Sequence, residues 1–325
     1  MKAYLDIVSN VLLNGKWKGN RTGIRTLTVP NQVFSHNMDD GFPLLTTKKM
    51  PLKTIAVELE GFIQGRTDKK WYQERGCHIW DEWANPRIVD KIYNEEQEHL
   101  ALSEIHGFPT DARSKKEIQK ECNDLGVVYG YQWRRFNQVY DEDDSGCTEQ
   151  YDQLKTIVDT LQNNPDDRRM VCSAWNPVQM TRMALPPCHM IWNLCHINGV
   201  LNMGVMMRSV DTFLGLPFNI ASYGLLLLLL SKEGNMTAGN LSMYLTDCHI
   251  YENHIEQIRK QIGREPKDLP KIYILNKGTW TPNNMIKQED KIILDNKFNM
   301  FEWTHQDIRL EHYDSWPKLS GEVAV

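Results

Sequence analysis

Apolar residues at Leu5, Val8, Val11 and Leu12 fall on one stripe of a 3.6-residue period, so residues 3–14 are predicted to form an amphipathic helix. Asn20-Arg21-Thr22-Gly23 breaks the pattern, and 26–34 reads as extended chain closed by Gly41-Phe42-Pro43. Leu52, Ile55, Leu59 and Phe62 restore helical spacing over 52–64, with a stop at Gly65. Residues 79–83 form a compact aromatic segment around Trp80 and Trp83. From 85 to 124 the chain turns polar and charged. This stretch reads as an inserted surface excursion with two short helices, 95–105 and 114–122. Beyond the segment 129–136, an acidic loop at 141–144 precedes a predicted helix at 151–162 and a strand at 170–175. Residues 194–208 are predicted to form a hairpin turning on Asn198-Gly199. Six consecutive leucines, 225–230, make 218–231 apolar all round, as in a buried core helix too short to cross a bilayer. A last helix is predicted over 251–261. With no internal repeat and no dividing linker, the chain is expected to be one α+β domain, 1–325, carrying the 85–124 excursion.

Composition narrows the classes. A chain of 325 residues buries enough apolar surface to fold without disulfides. Its net charge of −5 argues against a general polyanion binder but leaves room for a local basic pocket, so no nucleic-acid partner is expected. Seven cysteines without a CxxC pair fit a reducing compartment. With no eighteen-residue apolar window and Asp6 in the first helix, neither a membrane span nor a secretory leader is expected. Four cysteines precede histidines directly: Cys77-His78, Cys188-His189, Cys195-His196 and Cys248-His249. Adjacent residues on a strand point to opposite faces, so such dipeptides are poor chelators and no metal is expected.

The segment 184–189, Ala-Leu-Pro-Pro-Cys-His, fixes a cysteine just after two prolines, which restrict the backbone and aim the thiol. Arg21, Arg168, Arg169 and Arg208-Ser209 are candidate anion ligands, since guanidinium presents a planar fork of donors. Their positive field would also favour the thiolate of Cys188.

These stretches, with Arg21-Thr22-Gly23, residues 40–44, 79–83, Tyr129-Gly130, Gln132-Trp133-Arg134, 173–176, 214–223 and 247–254, resemble the thymidylate synthase family over nearly the whole chain. The resemblance implies a three-layer fold with a large mixed sheet at the interface of a homodimer with shared active sites. It further implies dUMP and 5,10-methylenetetrahydrofolate as substrates, and a cytoplasmic location (the host cytoplasm if the source is viral). Cys188 would add as thiolate to C6 of the uracil ring, with Glu58 relaying protons and Tyr129 and His189 as further site residues. Arg21, Arg208 and Ser209 would hold the phosphate, with Arg168 and Arg169 reaching across from a partner subunit. His249 and Tyr251 would hold the sugar hydroxyl, and Trp80, Asp211 and Val325 match folate-side positions, Asp211 counting also among the nucleotide residues. Asn219 would read the base, because a carboxamide can accept from uracil N3–H and donate to O4 at once.

The chain also departs from the family pattern. Met206-Met207-Arg208-Ser209 stands for the usual Tyr-Gln-Arg-Ser, Asn193 for Gln, Leu245-Thr246 for Gly-Gly, and Glu60-Gly61 for an apolar residue and Trp. Met-Arg-Ser is what the phage deoxycytidylate hydroxymethylases, a sister branch, resemble here. Met207, Met206 and Asn193 are therefore product-determining candidates. The expected product is 5-hydroxymethyl-dUMP, made when water attacks the exocyclic methylene. The alternatives are a thymidylate synthase making dTMP and dihydrofolate, and an inactive nucleotide- or RNA-binding relative.

Overall fold

In the computed structural model the described residues are 1–106, 112–138, 150–275 and 298–323. Two sequence expectations, the 141–144 loop and Val325, lie outside them. The fold is mixed α+β. Its strands are β1 (Lys16–Lys18), β2 (Thr26–Asn37), β3 (Val171–Ser173), β4 (His189–Ile197), β5 (Val200–Met207), β6 (Val210–Asp211), β7 (Thr237–Tyr251), β8 (Lys271–Ile274) and β9 (Ile308–Glu311). Its helices are α1 (Lys2–Asn14), α2 (Leu52–Ile63), α3 (Lys69–Glu74), α4 (Pro86–His106), α5 (Lys115–Glu121), α6 (Tyr129–Arg135), α7 (Gln153–Asn163), α8 (Gly215–Glu233) and α9 (Ile255–Ile262).

The chain forms two compact units, each assembled from separated segments: Met1–Glu60, Leu154–Cys172 and Cys188–Val325 in the first, Gly61–Gln153 and Ser173–Pro187 in the second. The first holds a mixed seven-stranded sheet in the order β1-β2-β7-β5-β4-β3, with β6 also on β7. β7 runs antiparallel to β2 and parallel to β5. The predicted hairpin is β4–β5, and its turn residues Asn198 (φ 48°) and Gly199 (φ 80°) both take the left-handed conformation that a two-residue turn between twisted strands requires.

Strand alternation gives this sheet two unlike faces. Phe34, Met243, Val205 and Trp192 stand in register across β2, β7, β5 and β4, and all are buried. Each such side chain contributes roughly 1.5–3 kcal/mol relative to exposure. One residue away, Val33, Tyr244, Met206 and Ile191 form the opposite row; Val33 is 61% exposed, Tyr244 41% and Met206 42%. A bulge between His189 and Ile191 lets these two, which would otherwise share a side, take opposite faces.

The leucine-rich helix is longer than the sequence suggested. α8 spans 19 residues, long and apolar enough to cross a membrane by length and composition alone. Leu225, Leu226, Leu227, Leu229 and Leu230 are nevertheless buried inside the fold, and Asp211 Oδ1 accepts from the amides of Phe213 (2.9 Å) and Leu214 (3.2 Å) just ahead of the helix. The last predicted helix starts later than expected. Tyr251 ends β7, and α9 begins at Ile255 after one 3-10 turn.

In the second unit the 85–124 segment is a helical pair with an apolar cluster of its own, Ala84, Val89 and Ile118 backed by Ile92, Tyr93 and Cys122. α4 begins nine residues before the predicted start, because Asn85 accepts from the Arg87 amide (3.2 Å) and Pro86 opens the helix. α5 carries a capping box between Ser114 and Glu117.

Two departures from the family pattern acquire packing reasons here. Gly61 leaves no room for a side chain, since an added Cβ would stand 2.3 Å from the Tyr72 ring. Glu60 is buried, and its carboxylate accepts from the His305 amide at 2.8 Å and lies 2.8 Å from His305 Nδ1.

Candidate active site

Cys188 immediately precedes β4, and the Arg208 amide donates to its carbonyl at 2.8 Å, so the two residues meet across the β4–β5 hairpin. Arg208 Nη2 also approaches Cys188 Sγ at 3.9 Å. The other Cys-His dipeptides are placed differently. Cys77 and Cys248 are buried, Cys195 is exposed, and burial pushes the Cys248 thiol up to about 12. Among the described residues no group of three His, Cys, Asp or Glu side chains is placed to hold a metal ion.

Several of the other expected residues of the first unit are linked to one another through Tyr251 and its neighbours. Tyr251 feels the charges of Asp211, Arg21, Cys188 and Asp247, although burial is the main cause that raises its hydroxyl. Asp211 and His249 are register partners on β6 and β7. His249 Nδ1 lies 3.2 Å from Asp247 Oδ1, and its ring packs edge-on against Tyr251 at 5.1 Å. The hydrogen bond to His249 pulls the Asp247 carboxyl down to about 2, with the Lys18 ammonium adding to the effect. Asn219, one turn into α8, borders the Gly215 backbone together with Asp211. Ser209 directly follows Arg208.

His189 Nδ1 lies 2.6 Å from the Tyr223 hydroxyl. Burial holds the imidazole neutral, with its pKa pulled down to about 3. Burial likewise raises Tyr223, with the charges of Cys172 and Glu58 adding to it, which places the Glu58 carboxylate within electrostatic reach of that hydroxyl. The sequence reading did not single out Tyr223, although it ends the 214–223 motif, nor did it give Asp247 a role. It also missed Lys48, a buried ammonium that donates to the Phe213 carbonyl beside Asp211 and is pulled down to about 8 by burial. A lysine in a run of polar residues gives no sequence signal that it is buried.

Trp80 and Tyr129 belong to the second unit and come together there. Tyr129 stacks on Phe62 at 5.0 Å and meets Trp80 edge-on at 6.0 Å, and Phe62 also meets Trp133 at 5.7 Å. Gly130 permits this approach, because a Cβ there would lie 2.6 Å from Phe62 Cα. α6 is fixed from behind by buried amides: Gln132 donates to the Val127 carbonyl (2.9 Å) and to Gln179 Oε1 (2.8 Å).

Other candidates are not gathered at Cys188. Arg168 and Arg169 are exposed on the turn between α7 and β3, with Arg169 paired to Asp167 at 2.6 Å. Met206 and Asn193 lie on the open face of the sheet. Met207 is buried on the other face, in register with Leu245 of β7.

A partly buried thiol against a guanidinium, sharing the electrostatic surroundings of Tyr251 with Arg21 and Asp211, can act as a nucleophile toward an anionic substrate. The family model described as Thymidylate synthase matches residues 2–325. A thymidylate synthase of Mycoplasma pneumoniae (strain ATCC 29342 / M129 / Subtype 1) is 37% identical over 326 residues, covering all of this chain and all of that protein. The chain belongs to the thymidylate synthase family.

Proposed function

We propose that this protein is a thymidylate synthase that converts dUMP and 5,10-methylenetetrahydrofolate into dTMP and dihydrofolate. The observation that carries the reading is the Cys188 sulfur beside the Arg208 guanidinium. A cation there favours the thiolate, which adds to C6 of the uracil and makes C5 nucleophilic. The folate co-substrate supplies the carbon and the hydride, and the cluster of Trp80, Tyr129 and Phe62 suits the packing of a flat pterin ring. Glu58 relays protons, supported by its reach to the Tyr223–His189 pair. Asn219 reads the base, Arg21, Arg208 and Ser209 hold the phosphate, and His249 and Tyr251 hold the sugar.

The assembly is a homodimer. The open row of Val33, Tyr244 and Met206 supports a sheet-to-sheet contact, and the exposure of Arg168 and Arg169 suits their use in a partner's site.

The methyl product replaces the hydroxymethyl product expected from the Met-Arg-Ser motif. Full-length likeness to a protein named thymidylate synthase favours it. Packing favours it too. Met207 and Leu245, two of the departures, are buried register partners, so an apolar pair stands where the family pattern has Gln and Gly. Met206 and Asn193 face the other way. None of the three then needs a water-directing role.

The test is to incubate the protein with both substrates, weigh the nucleotide and follow dihydrofolate absorbance. dTMP with stoichiometric dihydrofolate is expected. 5-Hydroxymethyl-dUMP without dihydrofolate would overturn the product, and bound dUMP that never releases tritium from C5 would identify an inactive relative.

A further inference from the structure

The second unit contains a fully buried lysine that the reaction above does not use. Lys69 opens α3 with its side chain at 0% exposure. Its Nζ lies within hydrogen-bond distance of four backbone carbonyls: Asp81 at 3.1 Å, Trp83 at 3.2 Å, Gln119 at 3.0 Å and Lys120 at 3.0 Å. An ammonium has three N–H donors, so four acceptors saturate it completely. The acceptors come from two places. Two belong to the aromatic turn that carries Trp80, and two are carbonyls in the last turn of α5, where helix carbonyls lack intrahelical partners and a cation is favoured.

The same two segments meet again without the lysine. The Gln119 side-chain amide donates to the Glu82 carbonyl, and Lys120 pairs with Glu82 at 3.5 Å. On the opposite edge of the turn, Asp81 accepts from Gln73 Nε2 and lies beside His78 Nδ1, each at 2.9 Å. The turn between Trp80 and Trp83 is thus short of regular secondary structure but held from both sides, and most heavily at one buried charge.

We propose that Lys69 is a positioning residue: its ammonium ties the end of the inserted α4–α5 pair to the 79–83 turn and thereby holds Trp80 for the folate. The excursion is then part of the folate side, not a decoration. The inference rests on the folate reading of Trp80 given above. Removing the ammonium takes three donors away from this group of four carbonyls, and the turn loosens where it carries the indole.

Lys69→Met keeps most of the stem and removes the charge. It is expected to raise the KM for methylenetetrahydrofolate about tenfold while leaving the KM for dUMP and the kcat at saturating folate within twofold. Hydrogen exchange at 79–83 and 117–121, measured without substrate, is expected to quicken together. An unchanged folate KM, or unchanged exchange at 79–83, would overturn the inference. If Lys69→Met does not fold, Lys69→Gln, which keeps a donor but loses the charge and the reach, takes its place: a rise in folate KM with quicker exchange at 79–83 supports the tie, and the absence of either change overturns it. Loosened exchange in the variant, alongside a wild type with no folate-dependent turnover, would support the tie and overturn the function proposed above, so the two failures are distinct.

Discussion

The two faces of the central sheet are built from the same strands and have opposite fates. Across one run Phe34, Met243, Val205 and Trp192 stand in register and are all buried. One residue along each strand, Val33, Tyr244 and Met206 remain open to solvent. The difference teaches how adjacent letters part company. Met206 and Met207 are neighbours in sequence, yet one packs beside Leu245 and the other faces outward. The first two residues of the Met206-Met207-Arg208-Ser209 motif, the last two of β5, therefore belong to different faces.

Substitutions on the two sides should behave accordingly. The largest effect is expected at the edge of the closed side, where Cys188→Ser should lower turnover by about ten-thousandfold while dUMP still binds, read by single-turnover kinetics and calorimetry. Trp192→Ala should destabilise the fold by about 3–5 kcal/mol in a denaturant titration. On the open side, Tyr244→Asp should leave monomer stability within about 0.5 kcal/mol, yet weaken self-association at least about a hundredfold by sedimentation, because a charge would be buried without a partner. Equal loss of stability from both changes would erase the distinction between the faces. Asn219→Asp should shift the ratio of kcat/KM from the uracil toward the cytosine nucleotide by roughly 10–100-fold.

The smallest effect concerns pH. The pKa of His189 falls to about 3 on folding, so between that value and its unfolded value of roughly 6.5 the unfolded chain binds the extra proton. Stability from this group is complete above pH ~6.5 and declines as pH falls toward 3. His189→Gln should remove up to one proton from that dependence in acid titrations of stability.

Helices α1 and α2, the β4–β5 turn and the leucine-rich core were legible because each rests on local chemistry: a repeating apolar stripe, an Asn-Gly pair, a run without polar interruption. β7 was not. Its fifteen residues mix Gly, Asn, Thr, Asp and His with apolar positions, and its place in the centre is set by partners on both sides. In the candidate site, Cys188 and the arginines stood out by type and company. Tyr223 and Lys48 meet their partners only through folding, and Asp247 meets Lys18 in the same way, so nothing in their surroundings along the chain reports those contacts. The Asn85-Pro86 start of α4 is a different case, since the cap and the proline were both there to be read.

The pairing of β2 with β7 has a cost during synthesis. Leu27 waits for Ile250, roughly 220 residues later, which at about 5–20 residues per second is on the order of 10–40 s of translation. Through that interval an early strand leaves the ribosome with one long edge bare, next to β1, its short neighbour on the other side. Nascent chains are expected to self-associate most readily in that window, so a chaperone that shields the first forty residues should raise the soluble yield in cell-free translation more than one added to the finished chain.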